Sequence, residues 1–184
     1  MKNIDSRLLI GGVIVLIVVL LVGSKIIGGD GSGLPGGVSS YAGSAGSTVE
    51  NGLAPDFSLS QIGGGTISLS DFRGQKPVVL DFFATWCPNC RRDMPKLSRM
   101  YDKYKDQVEV IGINLQENES VVQKFVSSAN ISFPIVMDPF SQVSRAYGVR
   151  YTNYHVLINK EGQIAGIVPG DINESQLKSL IDES

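Results

Sequence analysis

The chain has two cysteines, Cys87 and Cys90, and they lie two residues apart. They directly follow the apolar run Val78-Val79-Leu80-Asp81-Phe82-Phe83-Ala84 and precede helix-compatible sequence. Such a run reads as a central strand covered on both faces. Pro88 suits the first turn of a helix, where its missing N–H costs nothing. The pair therefore sits where a buried strand turns into a helix, the arrangement that thiol–disulfide exchange needs. The free N–H groups and positive dipole end of the helix stabilise a thiolate. Arg91 and Arg92 add positive charge within reach. A second thiol at i+3 can then attack the mixed disulfide formed by the first.

Two blander readings of the pair fit less well. A static disulfide closing so small a loop constrains little of the unfolded chain. A closed structural zinc site needs four ligands, and two cysteines with the single histidine supply three unless a carboxylate joins them.

The net charge of the 184-residue chain is -2. With no basic stripe, it offers nothing that points to nucleic acid. Residues 8–27 contain fifteen large aliphatic side chains and one charge, Lys25. Twenty helical residues span roughly 30 Å, about one bilayer core. The segment reads as a transmembrane signal anchor. Lys2 and Arg7 place residues 1–7 in the cytoplasm. Cleavage is disfavoured because Leu21-Val22-Gly23 fails the small-x-small pattern at its first position, and Ser40-Tyr41-Ala42 lies far downstream. Fourteen of the twenty-five residues from 28 to 52 are Gly or Ser. That stretch reads as a flexible tether with an end-to-end distance of roughly 25–30 Å. Residues 53–184 then form one domain, long enough for a real core.

Within that domain, Phe57 to Leu59 and Thr66 to Leu69 read as a leading hairpin around Gly63-Gly64-Gly65. Strands are expected at Pro77 to Ala84, Val108 to Asn114 and Phe133 to Met137, with a terminal hairpin of Tyr154 to Asn159 and Gln163 to Val168. Helices are expected from Pro88 to about Lys105, kinked at Pro95, at Ser120 to Ala129 with Val121, Val122, Phe125 and Val126 inward, at Ser141 to Tyr147, and at Asn173 to Ile181. Strands alternating with helices, then a hairpin, give a mixed α/β sheet.

The Ala54-Pro55-Asp56-Phe57 opening, the Asp81-Phe82-Phe83-Ala84-Thr85-Trp86-Cys87-x-x-Cys90 segment and Phe133-Pro134 resemble a membrane-anchored thioredoxin-fold protein. They are most similar to the TlpA/ResA group of extracytoplasmic thiol–disulfide oxidoreductases. The resemblance covers residues 53–184. It implies a thioredoxin fold with an N-terminal hairpin extension, Cys87 as nucleophile and Cys90 as resolving thiol, with Cys87 the more exposed and more acidic. Trp86 would cover one side of the pair, and Pro88 and Asn89 fill the gap between the cysteines. Asp81 interrupts a run of six apolar residues, Val78-Val79-Leu80 and Phe82-Phe83-Ala84. A buried carboxylate is costly, so its pKa is expected to rise, and the resemblance gives it a proton-relay role for Cys90. Asp93 stands where ResA-like proteins often have a glutamate; its plainer reading is a first-turn acid matching the helix dipole.

The chain departs from the group at one loop. Aligning Tyr147-Gly148-Val149 and Leu157-Ile158 places Asn153, after Thr152, where the group has a cis-proline. A cis bond to a non-proline costs roughly 2.5–4 kcal/mol, so a trans bond is expected. A free N–H and an amide side chain would then face the thiols. By strand alternation His155 shares the face of Asn153.

The leading functional reading is an extracytoplasmic, membrane-tethered oxidoreductase that reduces client disulfides. Its partners would be client protein thiols, a membrane electron donor and the bilayer. Its redox group is the Cys87–Cys90 disulfide, with no other cofactor. The same cysteines can run in the oxidising direction. A second class is a copper-binding metallochaperone of the Sco type, using Cys87, Cys90 and His155, although that type has three residues between its cysteines. A peroxiredoxin shares the opening motif but needs threonine three residues before its reactive cysteine, and Ala84 is there.

Overall fold

Val78–Phe83 forms β3, and all six of its residues are buried. The computed structural model describes residues 52–184, so the expected cytoplasmic end, the anchor and nearly all of the tether lie outside the described residues. Among the described residues no helix is long and apolar enough to cross a membrane. β3 is the centre of a five-stranded sheet of order β5-β4-β3-β6-β7. Its partners are β4 (Glu109–Leu115), β5 (Ile135–Asp138), β6 (Tyr154–Ile158) and β7 (Ile164–Pro169). β4 runs parallel to β3, and β5 parallel to β4. β6 is antiparallel to β3, and β7 antiparallel to β6. A short separate hairpin pairs β1 (Ser58–Ser60) with β2 (Thr66–Ser68). Its turn is Gly63-Gly64-Gly65, with positive φ at each glycine, a conformation that side chains resist.

Because side chains alternate along a strand, β3 feeds two cores. Val79 and Phe83 pack with Met94 and Leu97 of α1 (Pro88–Tyr104), Val122 and Phe125 of α2 (Glu119–Ser128), and Leu177 and Leu180 of α4 (Glu174–Asp182). Val78, Leu80 and Phe82 pack on the opposite face with Val143 of α3 (Gln142–Ala146) and with Ala54, Phe57 and Leu69 of the N-terminal extension. The extension is tied down at both ends. Ala54 N donates to Gly162 O at 2.8 Å and Ile62 N to Ile135 O at 3.0 Å, while Tyr147 Oη donates to Pro55 O at 2.6 Å. Each fully buried Phe or Leu here contributes about 1.5–3 kcal/mol.

The expected elements are present, with ends shifted by one or two residues. α1 runs through Pro95 as one helix. Val121 departs from expectation: it is 47 % exposed, while Val122 and Phe125 carry the buried stripe of α2. Helical spacing of three from Val122 to Phe125 defines that stripe, and Val121 falls about 100° away from Val122.

Candidate active site

Cys87 is the N-cap of α1, and its Sγ accepts the Cys90 backbone N–H at 3.2 Å. Sulfur therefore occupies the position where a capping oxygen usually satisfies a free helix donor. Pro88 holds N1. Cys87 is 5 % exposed and Cys90 fully buried. Burial pushes the Cys87 thiol up, but the Cys90 thiol, the Thr152 side chain and the backbone N–H groups of Cys90 and Asn89 together bring it below the ordinary value. For Cys90, burial, the hydrogen bond to Cys87 and the charge of Asp81 push the thiol up to about 12. The two sulfurs are thus strongly unequal: Cys87 is the more acidic thiol, and Cys90 holds its proton. The two are free thiols here.

Behind the pair, the β3–β6 register sets Asp81 opposite His155. Asp93, one turn after Cys90 on α1, comes down onto them. His155 Nε2 lies 3.4 Å from Asp81 Oδ1 and 3.4 Å from Asp93 Oδ2, and all three side chains are 1 % exposed or less. Burial lifts Asp81 to about 7. Burial likewise lifts Asp93 to about 6, against the opposing charge of His155. Burial lowers His155. The expected rise of the Asp81 carboxyl is met. The first-turn reading of Asp93 is corrected: it lies in the second turn of α1, is buried, and accepts the Ile172 N–H at 3.4 Å.

A model of the AhpC/TSA family matches residues 51–167. The thiol–disulfide oxidoreductase ResA of Halalkalibacterium halodurans is 38% identical over 130 residues, which is 70% of this chain and 73% of that protein. The chain belongs to the AhpC/TSA family, as a ResA-like thiol–disulfide oxidoreductase. Solved structures agree. The thiol:disulfide interchange protein DsbE of Chlorobium tepidum superposes with a TM-score of 0.64 at 32% identity, covering 71% of this chain and 94% of that one. StoA of Bacillus subtilis gives 0.61 at 28% identity, covering 70% and 98%.

The ResA-like core carries a distinctive opposing loop. Asn153 is left-handed, with φ at 61°, a region that asparagine tolerates better than most residues. Its backbone N–H donates to Phe82 O at 2.9 Å, and its Nδ2 donates to Asp171 Oδ1 at 3.1 Å. The expected free N–H and thiol-facing amide are therefore absent: the sheet consumes one and Asp171 the other. The residue that reaches Cys87 is Thr152. Trp86 is 69 % exposed, not a core residue. It lines a cleft of about 430 Å³ with Glu117, Arg145, Arg150, Tyr151 and Thr152.

The arginines are committed elsewhere. Arg92 forms an ion pair with Asp171 at 2.7 Å and donates to Asn89 Oδ1 at 3.0 Å. Arg91 donates to Thr85 O at 3.2 Å and lies over the Phe125 ring. Among the described residues no three His, Cys, Asp or Glu side chains are arranged to hold a metal ion. The copper set of Cys87, Cys90 and His155 is not assembled, because His155 faces the two carboxylates instead.

Two positioning residues escaped the sequence reading. Asp171 gathers Arg92, Lys96 and Asn153. Glu117 accepts from the Thr85 N–H and the Asn114 Nδ2, both at 2.7 Å, and so holds the loop that delivers Trp86 and Cys87. Neither sits in a recognisable spacing; only the folded chain brings them to the site.

Proposed function

We propose that this ResA-like domain is held outside the cytoplasm by residues 8–27 and the tether of residues 28–52, and that it reduces disulfides of client proteins. The observation that carries the exchange chemistry is the inequality of the two sulfurs, Cys87 lowered and Cys90 pushed up to about 12. The Cys87 thiolate attacks one sulfur of a client disulfide; that S–S bond breaks and one client thiolate leaves. Cys90 then loses its proton towards Asp81 and attacks the Cys87 sulfur. The second client thiolate leaves, and the domain retains a Cys87–Cys90 disulfide, two electrons having passed to the client. A membrane donor of two electrons restores the dithiol. The reducing direction is supported by Asp81 behind the pair. Its charge disfavours the Cys90 thiolate, and a less stable reduced form gives up electrons more readily.

Equilibration of the domain with glutathione or dithiothreitol buffers tests the direction. The expected potential of the Cys87–Cys90 couple lies below about -200 mV, while a value near about -120 mV, the range of strong oxidants, contradicts it.

A further inference from the structure

We propose that His155 carries protons between Asp81 and Asp93, so that the proton Cys90 releases on resolving a mixed disulfide enters a three-residue set rather than Asp81 alone. The inference rests on the exchange chemistry above and deepens it. Both carboxylates approach the same ring nitrogen: Nε2 is 3.4 Å from Asp81 Oδ1 and 3.4 Å from Asp93 Oδ2. That separation is longer than a hydrogen bond and closes to one with a movement of about 0.5 Å. Neither Asp81 oxygen, nor Asp93 Oδ1, nor either ring nitrogen has a hydrogen-bond partner, although all are fully buried. Buried polar groups left this way are rare and call for a functional account.

Three elements build the set: β3 supplies Asp81, β6 supplies His155 directly across the ladder, and α1 supplies Asp93 three residues after Cys90. From β7 and the turn after it, only the Val168 and Gly170 backbone bears on the ring. Beyond them Asp171 is the remaining charge acting on His155, and its carboxylate is paired with Arg92 and Lys96. Cys90 is the thiol that senses Asp81.

The proton movements balance without any redox change in the set. As Cys90 attacks, its S–H proton passes to Asp81. Nε2 takes that proton from Asp81 and releases it to Asp93. Restoring the dithiol runs the steps in reverse. Burial brings Asp81 to about 7 and Asp93 to about 6, so the two carboxylates at the ends of the relay lie close together on the pH scale, while burial lowers His155 between them. Transfer from one carboxylate to the other is nearly balanced, and the groups titrate as a set.

His155 is the single histidine of the chain, so its imidazole NMR signals need no assignment. In the full chain in detergent micelles, titrated in dithiol and disulfide forms, the imidazole is expected to respond in two steps. Those steps should shift by about half a unit or more between the redox forms. His155→Gln, which cannot take up a proton, is expected to slow resolution of a preformed Cys87 mixed disulfide by about tenfold near pH 7 and to reduce the acid limb to one ionisation. Asp93→Asn should change the pH profile in the same way. A single imidazole step identical in both redox forms, or a His155→Gln profile superimposable on the parent's, overturns the proposal. If the glutamine variant does not fold, the parent titration decides alone. Absence of exchange in the parent would remove the functional reading, whereas the titration would still report on the three residues.

Discussion

Replacing Cys87 by serine is expected to lower thiol–disulfide exchange by about 10³-fold or more, because a hydroxyl at this position has no access to the anionic form that does the chemistry. The effect should not be structural. Sγ accepts the Cys90 N–H at 3.2 Å, and a serine oxygen is among the preferred N-cap acceptors. Unfolding midpoints of parent and variant should therefore stay close while activity disappears. The unequal sulfurs make a companion result measurable. In the reduced parent, iodoacetamide near pH 7 should label Cys87 first and leave Cys90 largely untouched, since Cys90 is fully buried and its thiol is pushed up to about 12. Preferential labelling of Cys90, identified by peptide mapping, would reverse the assigned roles.

Asp81→Asn is expected to separate stability from function. The Asp81 carboxyl rises from 3.8 to about 7 on folding, through burial. A carboxyl whose folded pKa is raised stabilises the fold fully below its unfolded value, and that contribution is lost as pH climbs through the folded value. Between about pH 4 and pH 7 the parent should thus lose on the order of 4 kcal/mol from this one group. The asparagine variant lacks this loss. Urea unfolding should find the two proteins similar near pH 4 and the variant more stable at pH 8 by on the order of 2 kcal/mol or more. Resolution of mixed disulfides should meanwhile slow by about 10²-fold or more, since Cys90 then lacks its proton acceptor. A stability difference that does not change with pH, or an unchanged resolution rate, would refute the assignment of Asp81.

The reactive half of the site was legible in the sequence because its parts are local. The Cys-x-x-Cys spacing, Pro88 at the start of a helix and one carboxylate inside an apolar strand all lie within ten residues of one another. Each is read from its immediate neighbours in the chain. The opposing half was not. Asn153 was found by its departure from a pattern, but its left-handed backbone and its bond to Asp171 depend on a turn after β7, eighteen residues on. His155 was assigned to the thiol side by strand alternation alone. Alternation gives the face but not the neighbour, and the neighbour is set by the β3–β6 register and by where α1 lies over the sheet. The first-turn reading of Asp93 failed for the same reason. At i+3 from Cys90 it shares the buried face of α1 with Met94 and Leu97 and lies beyond the first turn of the helix.

In the proposed cycle Cys87 attacks client disulfides and Cys90 resolves the adduct. A Cys90→Ser variant tests it most directly, because the first step proceeds and the second cannot. Incubated with a disulfide-bearing client protein, the variant should accumulate a mixed disulfide that dithiothreitol releases and that peptide mass spectrometry places on Cys87. The same client should pass through the parent without such an adduct. A Cys90→Ser protein that forms no adduct on Cys87, under conditions where the parent reduces that client, would contradict the account.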